Sequence, residues 1–300
     1  MGTDHTTLFK GCGTAIITPF SASKTLDFNV LEGLIEFQIS NGTDALIVLG
    51  TTGEATTMTR EEKSAAIKFT VEKVRGRIPV IAGTGSNCTE TAAKNSIEAE
   101  SLGADGLLVV TPYYNKCTQN GLVAHYGAIA ERVKIPIIAY NVPCRTCVNL
   151  LPATFARIAE QYKNVVAVKE ASGNLEQIAE VIRLTRGKAV VYSGDDSLAV
   201  PVIKLGGAGL ISVASNIAPK YFSDMTRLAL NGKTEQAAAL QEKIQPLIKA
   251  LFSEVNPIPV KAASKLLGLS DGSLRLPLTE IEDEHFVLLE KTLKEFGLIN

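Results

Sequence analysis

Eight short apolar runs recur along the chain, and an amphipathic helical segment separates each run from the next. The runs lack the alternation of polar and apolar residues that a half-exposed strand shows, so each is typical of a strand buried on both faces. They occupy residues 14–18, 45–49, 79–83, 107–111, 136–140, 165–170, 189–193 and 209–212. Strands that alternate with helices form parallel sheets through right-handed crossovers. Eight such units in 300 residues predict an α/β fold of the (β/α)8 or TIM barrel type.

An open, doubly wound sheet is the alternative to the barrel. The even spacing of eight units and the lack of an early G-x-G-x-x-G turn count against it. Local signals agree with helices between the runs. Asp27 is placed to cap the first helix, and Thr59 with Glu62 forms a capping-box pattern at the start of the second.

The pattern changes after residue 232, where strands cease and helical periodicity continues to the end of the chain. We therefore divide the chain into a barrel, residues 1–232, and a C-terminal helical domain, residues 233–300. Residues 236–252 are rich in alanine and leucine, and Pro246 inside them is predicted to kink or divide the helix. We interpret the helical domain as a cap for stability or oligomer contacts.

Charge and composition exclude several classes of function. The net charge is −1 and no block of lysine and arginine occurs, which argues against nucleic acid and anionic membranes as partners. Residues 1–5 lack the basic and apolar regions of a signal peptide, and no apolar run is long enough to span a bilayer. We expect a soluble, cytoplasmic protein.

The five cysteines are an odd number scattered along the chain, which favours reduced thiols over a disulfide framework. The three histidines lie far apart, no zinc spacing occurs, and we expect no metal. Cys144 and Cys147 form an isolated C-x-x-C pattern, which could be a redox pair or half a metal site. Because no second pair occurs and the predicted setting is a loop after strand five, we disfavour both roles.

Candidate chemistry gathers where the strands end, since barrel enzymes place their sites there. Lys169 closes an apolar run, so its ammonium either pairs with a carboxylate, reaches solvent, or has a lowered pKa that makes it a nucleophilic amine. Other strand ends supply Thr51, Thr52, Tyr114 and Tyr140. Amine, hydroxyl and phenol groups together suit imine chemistry. Each also has a plain structural interpretation, as a turn residue or as a packed tyrosine.

The glycine-rich residues 205–209 are the remaining feature of the barrel sequence. They could wrap a phosphate, as the loops after strands seven and eight do in many barrels. They precede strand eight, however, on the opposite side of the barrel. Close backbone packing is the favoured interpretation.

Several motifs resemble the pyruvate-dependent lysine aldolase family, and within it the dihydrodipicolinate synthase branch. The motifs are Gly50-Thr51-Thr52-Gly53-Glu54, Thr111-Pro112-Tyr113-Tyr114-Asn115, Tyr140-Asn141-Val142-Pro143, Val168-Lys169-Glu170-Ala171 and Ser193-Gly194-Asp195-Asp196. Two motifs in the helical tail, residues 256–261 and 274–277, resemble the same branch. The resemblance runs nearly end to end.

The resemblance implies a Schiff base between Lys169 and pyruvate, with no separate cofactor. Its enamine would attack L-aspartate 4-semialdehyde, giving 4-hydroxy-tetrahydrodipicolinate for diaminopimelate and lysine biosynthesis. Tyr140 would donate and accept the proton at the imine. Thr51 and Tyr114 would complete the proton relay, with Tyr114 reaching in from a neighbouring subunit of a homotetramer built as a dimer of dimers.

The resemblance also implies the groups that bind substrate. Thr52 would hold the pyruvate carboxylate, with the carbonyl of Ile211 and Gly194 on the pyruvate side of the site. Arg145 would hold the carboxylate of the semialdehyde, a task that suits a bidentate guanidinium. Synthases usually have a small residue before this arginine and glycine two after it. Here those positions are Cys144 and Cys147, and a left-handed conformation at residue 147 would be strained without glycine.

Relatives that lysine inhibits bind it in an interface pocket lined by histidines and a glutamate. The matching positions here are Arg60, Lys63 and Thr91, although Asn87 and Tyr113 are as in the relatives. Two cations without a glutamate disfavour a cationic ligand. We expect weak or absent inhibition by lysine.

Three other functions remain open from the sequence. The first is another pyruvate–lysine aldolase, acting on N-acetylneuraminate or a 2-keto-3-deoxy sugar acid, which Arg145 disfavours. The second is a phosphate-binding barrel isomerase, suggested by the glycines near residue 206. The third is a non-enzymatic thiol sensor or scaffold that uses Cys144 and Cys147.

Overall fold

The computed structural model describes residues 7–300, so the N-terminal residues 1–5 examined for a signal peptide lie outside the described part. Within residues 7–300, eight parallel strands follow one another around a closed barrel. The strands are β1 Gly11–Ala15, β2 Ala45–Val48, β3 Val80–Gly83, β4 Gly106–Val110, β5 Ile137–Asn141, β6 Val165–Glu170, β7 Val190–Ser193 and β8 Gly209–Ser212. The first strand also pairs with the last. The predicted (β/α)8 barrel is confirmed.

The first strand lies earlier than the predicted residues 14–18. It ends at Ala15. The Ile16 N–H still donates to the carbonyl of Ile47 at 3.1 Å, but the Ile17 N–H donates to the side-chain Oδ1 of Asn216 at 2.9 Å rather than to a strand. The following isoleucines remain buried, which explains why an apolar run alone misplaced the strand. Thr18, expected at the strand end, donates its hydroxyl to the carbonyl of Gly53 at 2.6 Å and so supports the turn after β2.

Helices fill the gaps between the strands and form the C-terminal domain. In the described residues they are α1 Phe28–Ser40, α2 Arg60–Val74, α3 Thr89–Ser101, α4 Gln119–Ala130, α5 Pro143–Thr146, α6 Pro152–Gln161, α7 Leu175–Thr185, α8 Ala199–Lys204, α9 Pro219–Leu230, α10 Thr234–Leu251, α11 Ile258–Leu266 and α12 Asp283–Glu295. The Asp27 cap and the capping box of Thr59 and Glu62 are both formed. Of the two outcomes predicted for Pro246, a kink or a division of the helix, the division does not occur, because α10 runs through Pro246 as one helix.

Apolar side chains on the two faces of the strands build two cores. The inner one fills the barrel with residues such as Ile47, Ile138 and Ile211, and includes Tyr140. The outer one lies between the strands and the surrounding helices. Both faces of the sheet are therefore buried, as the unbroken apolar runs predict.

The C-terminal helices lie against the barrel rather than apart from it. Helix α10 packs on α8 and α9, and also contacts the short turn Asp196–Leu198 that follows β7. This brings the helical domain to the end of the barrel where the strands finish. No helix in residues 7–300 combines the length and apolarity that crossing a membrane requires.

Candidate active site

Two candidate catalytic side chains come from neighbouring strands. Tyr140 on β5 and Lys169 on β6 are directly paired in the sheet. The Lys169 Nζ lies 4.5 Å from the centroid of the Tyr140 ring. Both residues are buried, with exposures of 5% for Lys169 and 8% for Tyr140. The sheet register therefore fixes an amine beside a phenol at the carboxyl end of the barrel.

Burial changes the acidity of this lysine. Loss of hydration is the main cause that lowers the pKa of Lys169 from 10.5 to about 8, and the nearby Arg145 charge lowers it further, while Asp196 opposes the shift. A lysine with such a pKa has an appreciable fraction of free amine near neutral pH. Lys169 is therefore suited to attack a carbonyl carbon.

Asp196 is a buried carboxylate close to this lysine, and the sequence alone predicts no role for it. Its carboxylate accepts hydrogen bonds from the Ser212 hydroxyl and, at 3.1 Å, from the Val213 N–H. Burial raises the pKa of Asp196 to about 6. Two sequence signals could have identified it: its place just after β7, where the strand ends converge, and its membership of the motif Ser193-Gly194-Asp195-Asp196.

The predicted threonines lie in a 3-10 turn, Thr51–Gly53, directly after β2. Thr52 is buried, and its hydroxyl accepts a hydrogen bond of 3.0 Å from Asn256 Nδ2. Thr51 lines the same cavity as Tyr140. Burial raises the pKa of Tyr140 to about 12, and the Arg145 charge and the Thr51 side chain partly oppose that rise. Thr51, Tyr140 and Lys169 thus meet around one space.

Arg145 is carried by the short helix α5 and lines the cavity. Its Nη2 donates a hydrogen bond of 3.3 Å to the backbone carbonyl of Asn256. Cys147 directly follows α5 with a φ of 55°, the left-handed conformation that glycine adopts without strain. A non-glycine residue there costs about 1–2 kcal/mol. The loop accepts that strain, and Cys144 lines the cavity beside Arg145.

Gly194 and Ile211 were both predicted on the pyruvate side of the site. Gly194 lines the cavity, and a Cβ atom there would lie 3.0 Å from Lys169 Cε. Ile211 is fully buried in the barrel core and is not among the residues that line the cavity, whereas Val213 is. Space beside the lysine therefore depends on Gly194.

Tyr114 does not reach the site of its own subunit. Its side chain is 92% exposed, and its φ of 70° is unusual for a tyrosine. Its neighbour Tyr113 lines an adjoining cavity of about 570 Å³, which shares Thr51, Tyr140 and Arg145 with the lysine cavity.

The cavity around Lys169 has a volume of about 470 Å³, which is large enough for small organic acids. Ile248, Lys249, Phe252 and Asn256 of the C-terminal domain line part of it. Our interpretation of that domain as a cap for stability or oligomer contacts is therefore incomplete. No periodicity marks these residues as site residues, since helix α10 shows an ordinary amphipathic pattern.

The adjoining cavity contains the residues considered for lysine feedback. Arg60, Lys63 and Thr91 line it, and so does Glu98, which was not predicted there. Glu98 is 2.8 Å from Arg60 Nε and also accepts a hydrogen bond from Ser64. The carboxylate is therefore already engaged by a neighbouring cation.

A group of potential metal ligands lies outside both cavities. Among the described residues, Glu254, Glu282 and His285 bring ligand atoms within 4.8 Å of one another. His285 Nδ1 is 2.8 Å from a Glu254 oxygen, so these two side chains already satisfy each other. The group holds the start of α12 against the end of α10 and is separate from Lys169.

Comparisons with known proteins agree with this geometry. The sequence profile described as the dihydrodipicolinate synthetase family matches residues 8–296. The 4-hydroxy-tetrahydrodipicolinate synthase of Thermoanaerobacter sp. (strain X514) is 54% identical over 292 residues, covering 97% of this chain and 98% of the relative. The dihydrodipicolinate synthase structure from Thermotoga maritima has a TM-score of 0.96 at 48% identity, covering 98% of this chain and 100% of that one.

A further solved structure is that of the Acinetobacter baumannii dihydrodipicolinate synthase complexed with pyruvate. It has a TM-score of 0.95 at 45% identity and covers 98% of this chain and 100% of its own. A family match over nearly the whole chain, together with relatives of this identity and coverage, confirms the resemblance of the motifs. The chain belongs to the dihydrodipicolinate synthetase family.

Proposed function

We propose that this chain condenses pyruvate with L-aspartate 4-semialdehyde to 4-hydroxy-tetrahydrodipicolinate, a step of diaminopimelate and lysine biosynthesis. The observation that carries the proposal is the buried Lys169, whose pKa is lowered to about 8 beside the phenol of Tyr140. Family membership agrees with it, because relatives about half identical over nearly the full chain are named for this activity.

The first step joins Lys169 to pyruvate. The free amine attacks the keto carbon, and loss of one water molecule gives a protonated imine. The imine withdraws electrons from the adjacent methyl group, so one methyl proton leaves and an enamine forms. This chemistry needs no separate cofactor, because the protonated imine itself accepts the electron pair.

The second step forms the carbon–carbon bond. The enamine carbon attacks the aldehyde carbon of the semialdehyde, and the new alkoxide takes a proton. Tyr140 is the proposed proton donor and acceptor, since it is buried within reach of Lys169 and adjoins Thr51. The amino group of the second substrate then attacks the imine carbon, which closes the ring and releases Lys169.

Two carboxylate sites follow from the same arrangement. Thr52 is the proposed donor to the pyruvate carboxylate, because its hydroxyl is buried in the turn beside the lysine cavity. Gly194 leaves room beside the lysine, and the carbonyl of Ile211 is a further proposed contact. Arg145 is the proposed partner of the semialdehyde carboxylate, since its guanidinium lines the same cavity. A sugar-acid aldolase is disfavoured because its aldehyde substrate has no carboxylate for Arg145 to bind.

We further propose that the protein assembles as a homotetramer, a dimer of dimers, in which Tyr114 enters the site of a neighbouring subunit. The exposed Tyr114 supports this arrangement, because its own subunit does not cover it and its φ of 70° is the kind of backbone strain that clusters at functional positions. The cytoplasm is the proposed location, where thiols such as the free cysteines of this chain stay reduced.

The test is borohydride reduction in the presence of pyruvate, followed by mass spectrometry and a turnover assay with the semialdehyde. We expect an adduct on Lys169, its loss in Lys169→Ala, and its persistence in Lys249→Ala, which removes a second lysine lining the same cavity. An adduct without semialdehyde turnover would favour a sugar-acid aldolase. No adduct would refute the imine mechanism.

A further inference from the structure

We infer that the C-terminal helical domain positions the threonine turn of the barrel through two contacts, Lys261 with Glu54 and Asn256 with Thr52. The threonine turn is the segment Thr51–Gly53. The inference rests on the proposed function, because it concerns how this turn is held ready for pyruvate.

The threonine turn ends in a conformation that requires external support. Glu54, the next residue, has φ 51° and ψ 34°, and its N–H donates to the carbonyl of Thr51 at 3.1 Å. L-residues other than glycine rarely adopt this left-handed conformation, and it persists where surrounding contacts hold it. The backbone angle at Glu54 therefore fixes the end of the turn.

Within residues 7–300, the polar contacts of the Glu54 carboxylate come from the C-terminal domain. Its carboxylate is fully buried and forms an ion pair with the Lys261 Nζ of α11. The second carboxylate oxygen accepts a hydrogen bond of 3.1 Å from the backbone N–H of Arg275. Because a buried charge that loses its partner is strongly unfavourable, removal of Lys261 should either displace the Glu54 side chain or force its carboxyl group to take up a proton.

Lys261 has a fixed position of its own. It is 1% exposed, its Nζ donates to the carbonyl of Ser273 at 2.7 Å, and it lies 4.3 Å from the centroid of the Phe20 ring. The Arg275 guanidinium lies 4.2 Å from the same ring and is 2.7 Å from a Glu62 oxygen. These contacts fix the position of the Lys261 ammonium, and its ion pair with Glu54 fixes the position of the Glu54 carboxylate.

Asn256 acts at the other side of the turn. Its Nδ2 donates to the Thr52 hydroxyl oxygen at 3.0 Å, and Asn256 itself is 7% exposed. A hydroxyl has a single hydrogen to donate. Because Asn256 supplies the donor in this bond, the Thr52 hydrogen is available for a ligand carboxylate.

The two contacts act on adjacent parts of one short segment, so they restrict both its backbone and its hydroxyl direction. Lys261 and Asn256 are positioning residues in this scheme, since they act through Glu54 and Thr52. The scheme predicts a defect in the pyruvate step that is separate from any loss of stability.

The experiment measures pyruvate-dependent adduct trapping in the full-length protein for Asn256→Ala, Lys261→Met and the control Lys265→Met. Lys265 lies on the same helix and is exposed. For Asn256→Ala we expect the pyruvate concentration for half-maximal trapping to rise about three- to tenfold, the effect of one average hydrogen bond. For Lys261→Met we expect trapping to slow about 100-fold, as for a displaced catalytic group. Lys265→Met should match the parent protein.

Circular dichroism at the assay temperature separates folding from positioning. If the folded variants melt earlier but trap pyruvate with parental kinetics, the contacts are structural only and the inference is refuted. If Lys261→Met does not fold, pyruvate trapping is measured instead in Asn256→Ala and in the double variant Lys261→Met/Glu54→Gln, which removes both buried charges. Parental trapping kinetics in these two variants would refute the inference, and slowed or weakened trapping would support it. A parent protein that forms no adduct would instead refute the proposed function.

Discussion

Substitution of Gly194 by alanine tests whether the space beside Lys169 is required for imine formation. The added Cβ would lie 2.7 Å from the Ala171 Cβ, 3.0 Å from Lys169 Cε and 3.1 Å from the Glu170 carbonyl oxygen. Favourable carbon–carbon separations are about 3.5–4.0 Å, so Lys169 Cε must retreat by about 0.5–1 Å and the Ala171 Cβ by about 0.8–1.3 Å. Gly194 does not have the positive φ that strains L-residues, so this contact is the expected cause of any effect.

The magnitude follows from the cost of overpacking. Extra atoms in a packed interior cost about 1–3 kcal/mol. If that cost falls on the position of the lysine amine, it corresponds to a slowing of adduct formation by about 5- to 150-fold. Relief by movement of Ala171 alone would lower the melting temperature without slowing the adduct.

The assay is the initial rate of borohydride-trapped adduct at saturating pyruvate, measured by intact mass. Gly33→Ala is the matched control, because a Cβ there meets nothing within 4 Å. It lies inside helix α1, where alanine is the better helix former, and we expect a parental rate. A parental rate in Gly194→Ala would refute the reasoning that links this glycine to the amine.

Three further predictions concern acidity, stability and regulation. Because the pKa of Lys169 is lowered from 10.5 to about 8, the adduct rate at low pyruvate should rise with pH, with a midpoint near 8; a midpoint near 10.5 would contradict this. Asp196→Asn should move that midpoint to lower pH, since the Asp196 carboxylate raises the pKa of Lys169. Thr59→Ala removes a formed capping box and should lower the free energy of unfolding by about 1 kcal/mol in denaturant titrations, with trapping kinetics unchanged. Lysine should inhibit weakly or not at all, because Arg60 and Lys63 line the adjoining cavity and Glu98 is paired with Arg60. Strong inhibition by submillimolar lysine in steady-state kinetics would show this prediction to be wrong.

The fold and the reactive residues were accessible from the sequence for a common reason. Unbroken apolar runs predict strands that are buried on both faces, and a lysine at the end of such a run can be recognised from the sequence alone. In a barrel, residues at successive strand ends must converge, so Lys169, Tyr140 and Thr51 could be grouped in advance. The first strand was misplaced because Ile16 and Ile17 are buried although they lie beyond its end at Ala15.

Contacts between distant parts of the chain could not be found in the same way. Asn256 lies 204 positions from Thr52, and Lys261 meets Glu54 across a similar separation. No sequence motif indicates which distant residue Asn256 or Lys261 contacts. Glu98 likewise sits in an ordinary helix, and its place in the adjoining cavity depends on how that helix is rotated.

The direct pairing of Tyr140 with Lys169 separates reaction chemistry from substrate choice. Paired strands are about 4.8 Å apart whatever loops follow them, so the strand pairing alone keeps the amine of Lys169 beside the phenol of Tyr140. Arg145, in contrast, lies on a four-residue helix in one loop. Exchange of residues 143–147 for a loop of different chemistry should alter which aldehyde reacts and leave the pyruvate adduct intact. Such a barrel can diversify its acceptors one loop at a time without rebuilding the group that activates pyruvate.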